Sequence, residues 1–293
     1  MRIALMGLGL LAAVSGCAPD PTPPPPPPPP PPEVSLPAPP PPFERVPIES
    51  SEGFLRWATE LGAERMTIVL KLNRLDQAHV RIGDSLLVPT VFRPELEHAP
   101  LPAHLPALDS VPYFLAVSRQ IQAFGAYRFG TLVYWGPTST GRAESPTPAG
   151  LFFTNWKSRE TISTEDEAWV LKWYFNFHSG RGISFHEYDL PGHPASHSCV
   201  RMLSRDAEWL YGWAEQWRVS KDGRAVLAYG TPVLVFGEYD FQAPQPPWRV
   251  LTADGTQPRI TAEQLEAELA LHLALIRERV ADRLRVVGPP QEP

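Results

Sequence analysis

The amino-acid sequence predicts a mainly β fold with flanking helices. Residues 111–141 consist of short apolar and aromatic runs separated by turns at Gly125 and Gly130, which is the pattern of antiparallel strands. Apolar residues at helical spacing occur on both sides of this region, in FLRWATELGAERM, SRDAEWLYGWAEQW and ITAEQLEAELALHLALIRERVADRLRVV. We therefore expect one β domain with helices around it.

The first residues have the pattern of an exported lipoprotein. Arg2 precedes an apolar run over 3–14, which has the length of a signal-peptide core and is too short to span a bilayer. The following letters, VSGC, resemble the lipobox of bacterial lipoproteins, in which the cysteine is lipidated and becomes the mature N-terminus. We predict a lipoprotein signal peptide over 1–16 and lipid on Cys17. An ordinary secretory signal with a chance cysteine is the alternative.

The predicted location is the cell envelope. Acyl chains on one cysteine anchor a protein stably to a membrane. Ala18, rather than aspartate, follows Cys17, which in lipoprotein sorting favours the periplasmic face of the outer membrane. Residues 17–43 then form a proline-rich linker that prefers polyproline II. At about 3.1 Å per residue its residues 19–42 reach about 70 Å, either as a stiff spacer or as a disordered linker without a selected length.

Composition excludes several classes of function. The chain of 293 residues has a net charge of −6, so no basic nucleic-acid-binding surface is expected. No residues have metal-ligand spacing and no glycine-rich phosphate loop occurs, so neither a metal nor a cofactor is predicted. About 250 residues follow the linker, enough for one large domain or for a small and a medium one.

Residues 49–90 predict a helical pair, interrupted at Gly62, and then a strand that ends at Pro89. This segment resembles the second half of a LysM module, a peptidoglycan-sugar-binding repeat. The matching positions are Leu72, Asn73, Gly83, Asp84, Leu86 and Pro89. The usual opening of that motif is absent, so a diverged LysM-like module and an unrelated helical pair both remain open.

The rest of the chain continues the β pattern. SPTPAGLFFTNWK predicts a loop entering a strand, a polar helix or lid is expected near 158–170, and WVLKWYFNF and GISFHEYDL predict further strands. AVLAYGTPVLVFG predicts a closing pair of strands. In the last helix Thr261 and Gln264 form a capping box, and the apolar stripe docks on the domain or contacts a partner.

The second cysteine points to chemistry. Exported proteins in an oxidising compartment normally use cysteines in pairs, and this chain has two, Cys17 and Cys199. Lipid on Cys17 would leave Cys199 as a thiol, which is an oxidation liability outside the cytoplasm. A buried, inert cysteine is the alternative, but the neighbours of Cys199 in PASHSCVRM are poor core residues. We therefore expect a nucleophile.

Residues 111–237 resemble the L,D-transpeptidase catalytic domain of bacterial cell-wall enzymes. Four pieces carry the resemblance in order: LAVSRQIQAFGAY as the opening strands, TSTGRAESPTPAGLF as the STG…TPTG segment, FHEYDLPGHPASHSCVRM as the H…SHGC-[VI]-R signature and YGTPVLV as the closing strand. The resemblance implies an L,D-transpeptidase-type β-sandwich over 108–240. A small LysM-like α/β unit precedes it, and a tail over 241–293 with an amphipathic helix follows.

Departures from the family pattern occur at the signature. Ser198 stands between histidine and cysteine where glycine is usual, and Glu187 follows the first histidine where glycine is also usual. A glycine-to-glutamate change is expected to disturb the local dihedral angles. His186 and Cys199 are 13 positions apart, a few residues fewer than usual, so the shorter loop is expected to reshape the acceptor side. None of these changes removes a reacting atom.

The resemblance implies roles for the residues of the signature. Cys199 is the nucleophile and His186 the general base, oriented by the backbone carbonyl that follows it, which belongs to Glu187. His197 has a supporting role, because a residue two positions before the cysteine on an extended chain faces the same side. The backbone N–H groups of Ser198 and Cys199 would form the oxyanion hole.

Two further residues are expected on the substrate-binding side. Arg201 would bind a substrate carboxylate or fix the loop, with a structural salt bridge as the alternative. Ser196 would cap or orient the turn.

The implied reaction is acyl transfer on peptidoglycan stem peptides. Cys199 would attack the carbonyl of the third stem residue, release the terminal D-residue and pass the acyl group to an amine, which gives a crosslink or a protein attachment. Two alternatives remain: an L,D-carboxypeptidase or hydrolase of the same fold, in which water is the acceptor, and a catalytically idle wall-binding lipoprotein.

Overall fold

The computed structural model describes residues 41–163 and 166–289. The predictions for the signal peptide over 1–16, for lipid on Cys17 and for most of the linker over 17–43 lie outside the described residues. None of the helices within the described ranges is long and apolar enough to cross a membrane.

Residues 43–89 form a small β–α–α–β unit, here called the N-terminal unit. Its elements are β1 (Phe43–Pro47), α1 (Ser51–Leu61), α2 (Ala63–Asn73) and β2 (Ser85–Pro89), with β1 antiparallel to β2. Gly62, at φ 85°, separates the two helices as predicted. A core that includes Phe54, Val69 and Leu86 lies between helices and strands. Strand β1 is an addition to the predicted helical pair and strand.

The remaining elements follow in chain order. They are β3 (Phe114–Ser118), β4 (Ala123–Arg128), β5 (Thr131–Pro137), β6 (Gly150–Phe153), β7 (Lys157–Ile162), β8 (Val170–His178), β9 (Ile183–Glu187), β10 (Val200–Met202), α3 (Ser204–Trp213), β11 (Arg218–Val219), β12 (Val226–Ala228), β13 (Pro232–Phe236), α4 (Ala262–Ala270) and α5 (Leu273–Val287). The mainly β fold class with a C-terminal helix is therefore confirmed.

A five-stranded sheet, in the order β5-β4-β3-β13-β6, lies at the centre of the fold. Both faces of its middle strands are covered. Leu115 and Val117 on β3 point into one core cluster, while Phe114 and Ala116 point into another on the opposite face. Strand β13 runs parallel to β3, so the sheet is mixed rather than purely antiparallel.

The second sheet, in the order β10-β9-β8-β7, packs on one face of the first and carries the signature residues. Phe175, Phe185 and Val200 contribute its share of the core between the sheets. Strands β9 and β10 are parallel neighbours. The ends of the two strands therefore bring residues far apart in sequence to one edge.

The C-terminal helices cover the other face of the central sheet. Thr261 and Gln264 form the predicted capping box at the start of α4. Leu265, Leu269 and Ile276 are fully buried in the core cluster on that face, so the apolar stripe docks on the domain. The structure has two helices where one was predicted, since α4 ends at Ala270 and α5 begins at Leu273.

Three local predictions were wrong. Gly125, expected at a turn, lies within β4 and pairs with both neighbouring strands. Residues 157–162 form strand β7 rather than a polar helix, because this strand pairs with β8 and exposes polar side chains on both faces. Strand β12 pairs with β11, and β13 joins the central sheet, so the predicted closing strands are not partners.

Candidate active site

The register of β9 and β10 brings the signature residues together. Arg201 on β10 lies opposite His186 on β9, and Cys199 immediately precedes β10. One pocket contains most of the predicted site. It is lined by Ser163, Trp169, Leu171, His186, Tyr188, Ser196, His197, Cys199 and Arg201. The 13 positions that separate the histidine and the cysteine in sequence thus form a loop that starts and ends at this pocket.

His186 is held as a neutral imidazole. The ring is 4% exposed, and Nδ1 lies 2.9 Å from the carbonyl oxygen of Glu187. Because a carbonyl only accepts, Nδ1 carries the hydrogen and Nε2 keeps its lone pair. Burial lowers the pKa of His186 to about 4, against a smaller upward contribution from the Glu187 carbonyl. The ring is therefore unprotonated at neutral pH, with the lone pair of Nε2 unoccupied by a proton.

Glu187 causes no backbone strain. It lies within β9 and is absent from the residues with positive φ, so the expected disturbance of the local dihedral angles does not occur. The contact that orients the histidine uses the main chain of Glu187, and the side chain is turned away to accept a hydrogen bond from Ser204 Oγ at 2.8 Å. The backbone at this position thus accommodates glutamate without a positive φ.

Cys199 is half-buried and immediately precedes β10. Its Sγ lies 3.5 Å from Ser184 Oγ and 3.9 Å from the carbonyl oxygen of Gly182. Since the thiol and the imidazole of His186 line the same pocket, the pair has the components of a cysteine–histidine nucleophile.

Ser198 occupies a backbone conformation that favours glycine. Its φ is 82°, in the left-handed region. The side chain is buried, and its Oγ lies 2.9 Å from Ser145 Oγ and donates to the Ser145 carbonyl at 3.1 Å. These contacts accommodate a residue with a side chain where the family pattern has glycine. Strain of this kind is often concentrated at functional sites.

Thr147 fixes the peptide plane that leads to Cys199. It is fully buried, donates from Oγ1 to the carbonyl of Ser198 at 2.7 Å and accepts from the N–H of Gly141 at 2.9 Å. The described chain has no cis peptide bond, and in a trans peptide the C=O and N–H point in opposite directions. Anchoring the Ser198 carbonyl on Thr147 therefore directs the Cys199 N–H away from Thr147.

The segment Ser139–Thr140–Gly141 holds the second half of the loop. Ser139 exchanges main-chain hydrogen bonds with Arg201, and its Oγ donates to the carbonyl of His193 at 2.8 Å. Ser196 N–H donates to the carbonyl of Thr140 at 3.1 Å. The Oγ of Ser196 donates to the carbonyl of Cys199 at 2.5 Å. Ser196 thus closes the turn that leads to Cys199.

Arg201 presents a positive charge to the pocket. Its guanidinium lies 4.4 Å from the centre of the Tyr188 ring, a cation–π contact. Burial lowers the pKa of Arg201 from its usual value. Among the described residues it forms no salt bridge, in contrast to the structural ion pair considered from the sequence. Because it is not paired with a carboxylate of the described chain, the Arg201 guanidinium can bind an anion in the pocket.

His197 lies on the wall of the pocket. Its ring is 5.4 Å from that of Trp169, which follows the turn between β7 and β8. Its Nδ1 is buried and, within residues 41–163 and 166–289, has no hydrogen-bond partner. In the pocket that also contains Cys199, Nδ1 of His197 is therefore a buried polar atom without a hydrogen bond among the described residues.

Several residues at the site carried no sequence-based assignment. They are Ser139, Ser145, Thr147, Trp169, Ser184 and Tyr188. The segment TSTGRAESPTPAGLF contains three of them and marks their place in the chain, although it does not indicate that Thr147 would contact the residue before the nucleophile. No sequence pattern marks Trp169.

Three comparisons with known proteins were made. Residues 112–235, less than half of the chain, match the family model YkuD, the L,D-transpeptidase catalytic domain. No curated protein sequence matches significantly. A solved L,D-transpeptidase from Stackebrandtia nassauensis has 22% identity and a TM-score of 0.35, covering 44% of this chain and 57% of that one. One from Mycobacterium smegmatis has 18% identity and a TM-score of 0.35, covering 43% and 59%.

A third solved L,D-transpeptidase, from Mycobacterium tuberculosis H37Rv, has 22% identity and a TM-score of 0.34, covering 54% of this chain and 74% of that one. This chain thus spans less than two thirds of the length of the first two structures. What the comparisons show for this chain is that residues 112–235 match the model of the L,D-transpeptidase catalytic domain.

Proposed function

We propose that this protein is a peptidoglycan L,D-transpeptidase in which Cys199 forms an acyl-enzyme with the third residue of a stem peptide and transfers it to an amine. The observation that carries the proposal is the pairing of a neutral, carbonyl-anchored imidazole with a thiol in one pocket. A neutral histidine can take the thiol proton, and the thiolate is the reactive form.

In the proposed acylation step, the two groups act together. His186 Nε2 takes the proton of the Cys199 thiol as Sγ attacks the carbonyl carbon at the L–D bond. The negative charge on the carbonyl oxygen would be stabilised by backbone N–H groups at Ser198 and Cys199. As the C–N bond breaks, the imidazolium returns the proton to the leaving amine, and the donor remains on Sγ as a thioester.

The second half reverses the order. The acceptor amine gives a proton to His186 Nε2 and attacks the thioester carbon, the C–S bond breaks, and Cys199 regains a thiol. Water in place of the amine yields a shortened stem peptide, the hydrolase alternative. An idle wall-binding lipoprotein would need neither the neutral imidazole nor the thiol beside it.

Arg201 supplies the charge that a stem peptide requires. Stem peptides carry carboxylates, and a guanidinium binds a carboxylate through charge-assisted hydrogen bonds. The Tyr188 ring holds the Arg201 guanidinium in place. We assign Arg201 to the donor carboxylate, with His197 and Trp169 as the adjacent wall.

The envelope location remains part of the proposal. A lipidated Cys17 and a proline-rich linker would place the catalytic domain within reach of the wall, and a LysM-like N-terminal unit would suit a glycan-rich setting.

Product analysis tests the proposal. Purified full-length chain and its Cys199→Ala variant are incubated with disaccharide–tetrapeptides, and products are read by mass. Crosslinked dimers that vanish in the variant support the transpeptidase. Tripeptide products without dimers identify the hydrolase. Unchanged substrate together with an unreactive Cys199 thiol identifies the wall-binding alternative.

A further inference from the structure

We infer that the N-terminal unit is a working part of the active site, in which Asp76 is a positioning residue for the loop between His186 and Cys199. Two contacts from the end of α2 and the turn after it flank the nucleophile, one on the loop before it and one on the helix after it. The catalytic readouts below rest on the proposed function, and the thiol readout does not.

The first contact is a two-way hydrogen bond between Asp76 and Leu190. Asp76 N–H donates to the carbonyl of Leu190 at 3.0 Å, and Leu190 N–H donates to Asp76 Oδ2 at 2.8 Å. Leu75 and Pro191 beside them form an isolated antiparallel bridge. Leu190 is fully buried. The middle of the active-site loop is thus anchored on the N-terminal unit.

Asp76 is itself rigidly placed. Its Oδ1 accepts from the N–H of His79 at 2.9 Å and caps a short 3-10 helix. The ring Nδ1 of His79 lies 2.9 Å from both carboxylate oxygens. Because these hydrogen bonds fix the Asp76 carboxylate, its hydrogen bond to Leu190 N–H fixes the position of Leu190 as well.

Leu190 is close enough to the base to matter. It is three residues beyond Glu187, whose carbonyl orients His186, and two beyond Tyr188, whose ring supports Arg201. If residues 189–192 were not anchored, the peptide after Glu187 could rotate and release the His186 ring. Small misplacements of catalytic groups cost large factors in rate.

The second contact fixes the helix that follows the nucleophile strand. Lys71 on α2 is fully buried, and its Nζ lies 3.0 Å from Asp206 on α3, 2.6 Å from Glu95 and 2.8 Å from the carbonyl of Trp135. Asp206 is also fully buried and accepts from Tyr134 Oη at 2.7 Å. Separating these charges would expose unpaired partners, so the N-terminal unit is not a detachable binding module.

The test uses the full-length chain with four sequences: wild type, Asp76→Asn, Asp76→Ser and Glu60→Gln. Asparagine keeps the size of Asp76 and has only one acceptor oxygen, so it cannot cap His79 and bind Leu190 N–H together. Serine caps His79 and is too short to reach Leu190. Glu60 is an exposed acid on α1 of the same unit and serves as the control.

Two readouts are made. The first is the rate of iodoacetamide alkylation at Cys199, followed by mass at its peptide, together with the melting temperature. The second is kcat and KM for a disaccharide–tetrapeptide donor. We expect both Asp76 variants to alkylate about fivefold more slowly and to lose about tenfold in kcat, while the donor KM changes by less than about twofold. Glu60→Gln should match wild type.

The outcomes separate the two claims. Asp76 variants that fold and match Glu60→Gln in both readouts would overturn the inference. If wild type makes no product but alkylation still depends on Asp76, the proposed function fails and the positioning role stands. If Asp76→Asn does not fold, the serine variant, which keeps the cap, decides by the same readouts.

Discussion

The two halves of the loop between His186 and Cys199 are held by different parts of the molecule. Residues 193–199 are held within the catalytic domain by Ser139, Thr140 and Thr147. Residues 190–191 are held by the N-terminal unit through Leu75 and Asp76. Residues 190–191 belong to the first half of the loop, which follows His186, and residues 193–199 form the second half, which ends at Cys199. On the proposed mechanism, the site needs both supports.

The two sets of contacts differ in how far the sequence predicts them. The contacts of the second half come from the TSTGRAESPTPAGLF segment, which is itself recognisable. The contact between Asp76 and Leu190 spans 114 positions and uses a main-chain N–H and C=O of Leu190, so no motif marks it. The support of this loop by the N-terminal unit is visible only in the three-dimensional structure.

The largest effect is expected at the base where the loop begins. His186→Gln should lower the rate of donor acylation by about 10²–10⁴, because glutamine cannot accept the thiol proton as a base. Single-turnover mass spectrometry with a tetrapeptide donor measures it. His193→Gln, on an exposed side chain of the same loop, is the matched control and should acylate like wild type. Equal rates in both variants would remove His186 from the mechanism.

The support of the nucleophile half is tested by Thr147→Val. Valine keeps the shape and removes the hydroxyl that joins Gly141 N–H to the Ser198 carbonyl. We expect a loss of about 2 kcal/mol in the free energy of unfolding from the buried groups left unpaired, and about a 10–100-fold fall in acylation rate as the oxyanion donors shift. Urea unfolding and single-turnover kinetics measure these, with exposed Thr59→Val as the control. An unchanged acylation rate would show that Thr147 does not set the peptide plane for catalysis.

The burial of His186 predicts a pH dependence. Its pKa falls from 6.5 to about 4 on folding, so the folded state binds fewer protons than the unfolded state between these values. Stability is therefore fully present above pH 6.5 and falls by up to about 3 kcal/mol as the pH drops towards 4. Denaturant titrations at several pH values measure this in wild type and in His186→Gln. A difference between the two that does not vary with pH contradicts a buried neutral imidazole.

The smallest effect is expected at Ser198. Glycine removes the strain of the left-handed conformation, which stabilises the folded state by about 1 kcal/mol. It also loses the hydrogen bonds with Ser145, which destabilises the folded state by about the same amount. Ser198→Gly should therefore change the free energy of unfolding by less than about 1 kcal/mol. Ser198→Val, with a β-branched residue at positive φ, should cost more than about 2 kcal/mol. Similar stabilities for the two variants would show that φ at this position is not strained.

Local signals in the sequence predicted local structure well. The break at Gly62 and the capping box at Thr261 and Gln264 are confirmed, because each depends on residues a few positions apart. The sequence of β7 does not predict a strand, because an edge strand exposed on both faces lacks the alternation that marks a half-buried strand.

The sequence also predicts only part of the site. The signature identified Cys199, His186 and Arg201 as neighbours, and the pocket contains all three. It could not identify Thr147 or Asp76, whose contacts are made to main-chain atoms. Main-chain partners impose no requirement on the residue type at the contacted position, and they therefore leave no trace in a single sequence.

The most direct measurement is the mass of the enzyme itself after mixing with a tetrapeptide donor. The account predicts an adduct equal to the donor minus its terminal D-residue, located on the peptide that contains Cys199 and absent from Cys199→Ala. Release of that adduct by an added amine should regenerate the original mass. Turnover without any adduct at Cys199, or turnover retained in Cys199→Ala, would contradict the account.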